Sequence, residues 1–430
     1  MENNTNLYNN ISDDEVYRRF VHEVSGWSRT GYSPIIASLD LRYAFDLQRK
    51  RLEDKGVNIE SAYNLRGDYL DNIGSICSIN DPGRYKSRLV YRHYENVTDY
   101  KINNKTKFRK KANQILYLMI TRLENQNVNL EYSCPNCGAI SDIRTLLSGC
   151  PSCGTRFIMN DLFPKVTNYY VLPDYAENKK SMSHSVPKWL AAGAAIGMIG
   201  LFIYSIAVNF YSGNNIDLTD AITDAFISAI KGLFFGAIGG YIGWAIAKIG
   251  SMAGNAAKNM PYLAPNLEAR KKLPELMASI DNNFSYEYFV GKMFALLKIM
   301  VFSDDYQNLA IYEGQPMQNT FKDIIDVLYK GGIKLNSFEV KGPYCYVGLT
   351  VVTTAFYEKS GKIEEKDEQF NMTVCQNINS IANTNFSIKR VACKSCGGSF
   401  DATREHNCPY CGNPYHLGED DWVILSFYKE

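Results

Sequence analysis

The run Trp189–Tyr211, WLAAGAAIGMIGLFIYSIAVNFY, holds 23 consecutive residues without a formal charge. About 20 apolar residues cross a hydrocarbon core of roughly 30 Å as a helix, so this run predicts a transmembrane segment, and the rest of the chain is organised around it. A second apolar run, GLFFGAIGGYIGWAIAKIG at Gly232–Gly250, is just long enough for a second span, with Lys231 and Lys248 able to snorkel at its ends. Residues 212–231 then form a short outer loop and helix approach. That stretch carries Asp217, Asp220 and Asp224, whereas the outer flanks carry Lys179, Lys180, Lys188, Lys258, Arg270, Lys271 and Lys272. The positive-inside asymmetry expects a cell-membrane protein with two spans and both termini cytoplasmic, Lys231 dissenting. Gly193 and Gly197 in the first run, and Gly232, Gly236 and Gly240, then Gly239 and Gly243, in the second, recur at helix-packing spacing and predict close helix approach. Neither run contains the acid, His or Arg of an ion path. A tight two-helix anchor is expected, with a homo-oligomer through the glycine-rich helices as the alternative.

Outward from this hairpin lie two arms, residues 1–180 and 260–430. The 430-residue chain balances 46 Lys+Arg against 45 Asp+Glu, so bulk charge does not point to a polyanion-coating protein. With 46% hydrophobic and 21% charged residues, global disorder is excluded. The start, MENNTNLYNNISDDE, lacks the basic and apolar regions of a signal peptide. Of 11 cysteines, eight fall in four C-x-x-C pairs, a metal-site spacing that belongs to a reducing compartment.

The arms share one order of elements. In the first, Val16, Phe20, Val21 and Val24 mark a helical stripe, and a second helix runs from Pro34 to about Lys55, ended by Gly56. In the second, FSYEYFVGKMFALLKIMVF is followed by MQNTFKDIIDVLYKGG, where Phe321, Ile324, Ile325 and Leu328 form a stripe that predicts another helix, stopped by glycines. Each pair precedes two long strands rich in Val, Ile, Thr, Tyr and Phe, with turns expected near Asn103-Asn104 and at Ser360-Gly361. A cysteine module and a last strand, VTNYYVL or WVILSFY, complete each arm. The matched order argues for an internal duplication.

The modules are Cys134, Cys137, Cys150 and Cys153 (about 130–160), and Cys393, Cys396, Cys408 and Cys411 (about 390–416). Four thiolates can meet tetrahedrally around one Zn²⁺ and leave no open position, so two structural zinc ions are expected. Gly138, Gly154, Gly397 and Gly412 each follow the second cysteine of a pair and suit a metal knuckle. The modules resemble zinc ribbons of the transcription factor two B type, which staple folds, bind proteins or read nucleic acid. Cys77, Cys345 and Cys375 are left over and read as small buried hydrophobes.

The second arm, from about Phe284 to Tyr428, resembles the Tim 44-like domain of the nuclear transport factor 2-like superfamily. The resemblance is carried by FVGKMFALLKIMVFSDDYQNL, FKDIIDVLYKGG, KLNSFEV, the long β-hairpin and the strand starting at Trp422. The first arm resembles it more weakly, carrying an extra stretch around Asp68–Arg84. The resemblance implies α+β cone domains of helices on a curved sheet, membrane association and partner binding. Together with the ribbons and the hairpin, it gives two such cones, each with an inserted four-cysteine ribbon, joined by a two-helix transmembrane hairpin. No enzymatic residue set is implied, although the superfamily fold can host a small-molecule or catalytic pocket.

One further cluster carries charge: Arg88, Arg92, Lys101, Lys105, Lys107, Arg109, Lys110 and Lys111, interleaved with aromatics. Such a face could hold anionic lipid headgroups or nucleic-acid phosphates, or be a solvated strand pair. No H-E-x-x-H, G-x-S-x-G or phosphate-cradling glycine loop is present. The expected function is a membrane-anchored cytoplasmic-face scaffold or adaptor that binds protein partners or lipid. A membrane-tethered nucleic-acid-binding regulator is the alternative, and a small-molecule-binding or enzymatic cone a further one.

Overall fold

The computed structural model describes residues 12–66, 73–81, 85–123, 131–133, 137, 139–142, 145, 150–154, 165–174, 179–211, 218–281, 284–381, 390–393, 395–401, 405–419 and 421–430. The first arm opens with α1 (Asp13–Thr30), whose amide donor at Glu15 is capped by Ser12 Oγ and whose end is turned by Gly31 at φ 74°. The second helix, α2 (Leu39–Asp54), starts later than Pro34. Residues 36–38 are instead held extended: Val166 N donates to Ile36 O, and Ser38 N to Val166 O, both at 2.8 Å. Strands β1 (Val57–Leu65), β2 (Gly74–Asp81), β3 (Tyr85–Ile102) and β4 (Lys105–Leu123) follow, then short β5 (Glu131–Ser133) and β6 (Ile140–Asp142), and β7 (Lys165–Pro173).

The apolar region forms α3 (Lys179–Tyr211) and α4 (Leu218–Met277). The second arm continues with α5 (Tyr286–Phe302), β8 (Ile324–Lys341), β9 (Tyr344–Lys359), β10 (Lys362–Asn377) and α6 (Ile378–Ile381). It closes with β11 (Arg390–Ala392), β12 (Ser399–Asp401) and β13 (Val423–Lys429).

Both long β-hairpins turn where the sequence places them. Asn103 and Asn104 have φ 50° and 60°, and Ser360 and Gly361 have 51° and 78°, the paired left-handed residues of a two-residue turn matched to strand twist. The first sheet runs β1-β3-β4-β7 and the second β8-β9-β10-β13, all antiparallel, so the arms share one strand order. The extra stretch of the first arm contributes β2, which pairs with residues 85–91 of β3 beside the part that β1 occupies.

One expected helix is a strand. Residues 324–332 of FKDIIDVLYKGG begin β8, and the reason lies in which core each side chain enters. Ile324 and Val327 are buried in a core formed mainly by the second arm, whereas Ile325 is buried in a core formed mainly by the first. Apolar residues on both faces of a doubly covered strand imitate a helical stripe. Gly331, at φ 82°, sits in the bulge where the register slips between Tyr329 and Gly332.

The same interleaving brings the two arms into one compact unit. Residues 1–174 and 262–430 pack as one compact unit, and residues 175–261 form a second. Ala44, Leu89, Met119 and Tyr170 of the first arm lie in the second arm's core, and Phe356 of the second lies in the first arm's. Tyr100 stacks on Phe356 at 4.6 Å, an arrangement that contributes about 0.5–1.5 kcal/mol beyond area burial. Arg51 crosses from α2 to five oxygens of the second arm: those of Phe321 at 2.8 Å, Ile324 at 3.3 Å, Val301 at 3.4 Å and Phe302 at 3.3 Å, and Asp304 Oδ1 at 2.9 Å.

In the second unit, two helical stretches are long and apolar enough to cross a membrane: Val186–Asn209, of mean hydropathy 2.0, and Thr219–Ala247, of mean hydropathy 1.6. The second begins well before Gly232, so the residues expected as a helix approach are already helical from Leu218. Gly193 and Gly197 meet Gly232, Gly236 and Gly240 backbone to backbone. A Cβ at Gly236 would stand 2.2 Å from the Gly193 carbonyl oxygen, which explains why only glycine fits there. Gly239 faces open space instead.

Candidate metal centres

Each ribbon is strung between the second strand of a long β-hairpin and the closing strand. In the second, β11 and β12 pair over residues 390–401 and carry Cys393 and Cys396 at one end. Gly397, at φ 71°, donates its N–H to Cys393 O, and Gly412, at φ 73°, donates to Cys408 O, both at 2.8 Å. These left-handed glycines curl the chain back, and at the first of them the amides of Ser395 and Cys396 face the Cys393 sulfur. The amides of Cys396 and Ser395 hold the Cys393 thiol below its ordinary range, whereas burial and the neighbouring sulfurs push the Cys411 thiol up; a bound metal favours the thiolate at each.

The sulfurs of Cys393, Cys396, Cys408 and Cys411 all lie within 4.8 Å of one another. Cys393 Sγ is 3.6 Å from Cys411 Sγ, and Cys396 Sγ is 3.6 Å from Cys408 Sγ. Bonds of about 2.3 Å in a tetrahedron put sulfurs about 3.8 Å apart, so the donor set fits a four-thiolate metal ion. The ribbon is seated on the body of the unit. Cys393, Phe400, Cys408 and Tyr415 belong to the second arm's core, and Phe400 meets Tyr415 edge-on at 5.6 Å.

The first ribbon brings Cys137, Cys150 and Cys153 together within the same 4.8 Å, with Cys137 and Cys150 sulfurs 3.5 Å apart. Cys134 lies outside the described residues. Gly154 repeats the knuckle, at φ 70° and donating to Cys150 O at 2.8 Å. The chain therefore holds two cysteine clusters that can bind metal ions. Cys345 and Cys375 are buried apart from both, and burial pushes their thiols up to about 12 and about 11, as befits inert core residues.

The basic cluster is brought to one β-hairpin, β3 and β4, yet most of it is already paired. Arg88 meets Asp13, Arg92 meets Asp14, Lys101 meets Glu60, Arg109 meets Asp99, Lys110 meets Glu365 and Lys111 meets Glu95. Lys105 and Lys107 are exposed beside the Asn103-Asn104 turn. Arg92 is buried over the Tyr17 ring at 5.7 Å, so it serves packing rather than an outer ligand.

The sequence reading missed an interior polar group that both arms build: Lys298, Asp326, Tyr100 and Gln48. Tyr100 donates to Asp326 Oδ2 at 2.8 Å, Gln48 donates to Asp326 Oδ1 at 2.9 Å, and Lys298 donates to Tyr169 Oη at 3.0 Å. The available signal was a lysine inside the apolar helix FVGKMFALLKIMVF. Compared with family models, curated proteins and solved structures, the chain finds no match in any of the three, so its function is argued from its own residues and geometry.

Proposed function

We propose that this chain is a membrane-anchored scaffold or adaptor whose α+β unit stands at the cytoplasmic face and binds protein partners through zinc-stapled ribbons. The observation that carries the reading is the closed donor set of Cys393, Cys396, Cys408 and Cys411. A site with four thiolates has no position for substrate, so its metal, Zn²⁺, serves shape. The knuckle turned by that metal presents Tyr410, 68% exposed, at its tip. An aromatic on a rigid, metal-held turn has little entropy to lose on contact and suits protein recognition. The glycine-packed α3–α4 pair supplies the anchor, and the lysine and arginine asymmetry of its flanks supports the cytoplasmic placement. Membrane tethering and partner binding also agree with the Tim 44-like resemblance. The carboxylate pairing of most of the basic cluster weakens the nucleic-acid alternative, because paired cations release few counterions to phosphate.

The test is crosslinking and recovery of the full-length protein from native membranes, comparing the wild type with Tyr410→Ser and with Lys105→Glu/Lys107→Glu. The expected result is a small, reproducible set of proteins that is lost with Tyr410→Ser and kept with the lysine variant. Recovery of nucleic acid without protein, or a protein set unaffected by Tyr410→Ser, would overturn the reading.

A further inference from the structure

Inside the compact unit, a cavity of about 50 Å³ lies where the first arm's sheet faces α5 and β8. Its wall carries a charge without a counter-charge in contact. Lys298 is 5% exposed. Its ammonium donates to the Tyr169 hydroxyl and lies 4.6 Å and 5.0 Å from the Tyr169 and Phe294 ring centres, but no carboxylate lies within 4.0 Å of it among the described residues. Burial holds the amine down at about 8, and the Asp326 charge on the same wall offsets that only in part. Asp326 acts on the ammonium from beyond contact distance, because neutral donors occupy its oxygens. Its oxygens accept from Tyr100 and Gln48 and from the Val327 amide at 2.9 Å.

A second polar atom on this wall is also unmet. Asn96 is 7% exposed, and its amide nitrogen donates to Gln114 Oε1 at 2.9 Å and Thr98 Oγ1 at 3.2 Å. Its Oδ1 is buried and has no partner. A buried acceptor left without a donor costs about 1–3 kcal/mol, and an ammonium held by a neutral hydroxyl and two ring faces has no anion in contact. Waters could fill the space, at roughly 10–15 Å³ each, and could donate to Asn96, but they bring no negative charge to Lys298. Burial also pushes the phenols of Tyr63 and Tyr169 up, so both line the cavity as neutral rings.

We propose that this cavity is a binding site for a small carboxylate that also carries a hydroxyl or amino donor, its carboxylate on the Lys298 ammonium and its donor on Asn96 Oδ1. The volume admits about three to five heavy atoms, and Trp27, Tyr63 and Tyr169 supply the flat apolar walls usual in such sites. The two arms build the site together, Lys298 coming from α5 and Asn96 from β3.

The experiment is thermal unfolding of the purified full-length protein against glycolate, acetate and ethylene glycol at constant ionic strength. Glycolate should raise the midpoint saturably. Acetate, which lacks the donor, should need about tenfold higher concentration for the same shift, and ethylene glycol, which lacks the charge, should give none. Lys298→Met should abolish the glycolate response, and Asn96→Leu should erase the preference for glycolate over acetate. A wild-type protein whose midpoint glycolate does not move beyond the effect of equimolar chloride overturns the proposal, and so does a Lys298→Met protein that responds like the wild type.

Discussion

Replacing Arg51 by Met should unfasten the two arms from each other at a single point. The guanidinium is 3% exposed and satisfies four main-chain carbonyls and one carboxylate of the second arm. Val301 and Phe302 are in the last turn of α5, where carbonyls have no helical partner. Phe321 and Ile324 lead into β8. Losing a donor to a buried acceptor costs about 1–3 kcal/mol each. Asp304 is 40% exposed on its side chain and can rehydrate, so its share of the pair is small. Water entering beside Asp304 would recover one or two of the carbonyls. The net loss should then be about 3–5 kcal/mol, the range for breaking a buried charged contact, against a usual domain stability of about 5–15 kcal/mol. Trp27 is buried in the first arm's core and Trp422 in the second's, so urea unfolding can be followed in each arm once Trp189 and Trp244 are changed to Phe. Both signals should move together in the parent protein and shift to lower urea together in Arg51→Met. Arg51→Lys, with one ammonium for five oxygens, should fall between. A shift below about 1 kcal/mol, or Trp27 and Trp422 transitions that separate in the parent protein, would refute the claim that the arms form one cooperative unit.

Three other outcomes follow from the geometry. Metal analysis of purified protein should give two zinc ions per chain, and Cys408→Ser should leave one and lower the unfolding midpoint; full metal retention in that variant would sink the four-thiolate site. Gly236→Val should separate α3 from α4, reducing crosslinking between cysteines placed on the two helices, because its Cβ would meet the Gly193 carbonyl oxygen at 2.2 Å; Gly239→Val, facing open space, should leave it unchanged. Lys298 should make stability depend on alkaline pH. Its amine titrates at about 8 folded against an ordinary 10.5, so between those values the unfolded chain holds the extra proton and stability rises with pH, by about 3 kcal/mol in full. The penalty is complete below pH 8. Urea titrations at pH 7.5 and 10 should show a smaller rise in Lys298→Met than in the parent, and equal rises would contradict the burial of a charged amine.

What was legible in the sequence was local. Asn103-Asn104 and Ser360-Gly361 announce their turns because few residues tolerate left-handed backbone, and the C-x-x-C spacing announces two cysteine clusters able to hold metal because sulfurs at such separations have little else to do. The apolar helices announce themselves by length. What was not legible depended on contacts distant in sequence. Ile324, Ile325 and Leu328 form the same string whether they line one face of a helix or alternate between two cores, and only the docking of the first arm on β8 decides it. Arg51 and Asn96 look like ordinary surface residues until that docking buries them, and Lys298 stands out only as a charge inside an apolar helix. The charges at Arg88, Arg92 and Lys110 were visible, but their carboxylate partners lie up to 255 positions away.

The interleaved cores also set a schedule for biosynthesis. The first arm leaves the ribosome ahead of α3 and α4, and the partner face for its Leu89, Met119 and Tyr170 is encoded only after residue 262. At roughly 5–20 residues per second, the stretch from residue 175 to 430 takes on the order of 13–50 s to make. During that interval the two apolar helices are made while the sheet face that the second arm will cover is still uncovered. A chaperone that shields this face would govern the yield of the protein without touching any residue of its finished surface.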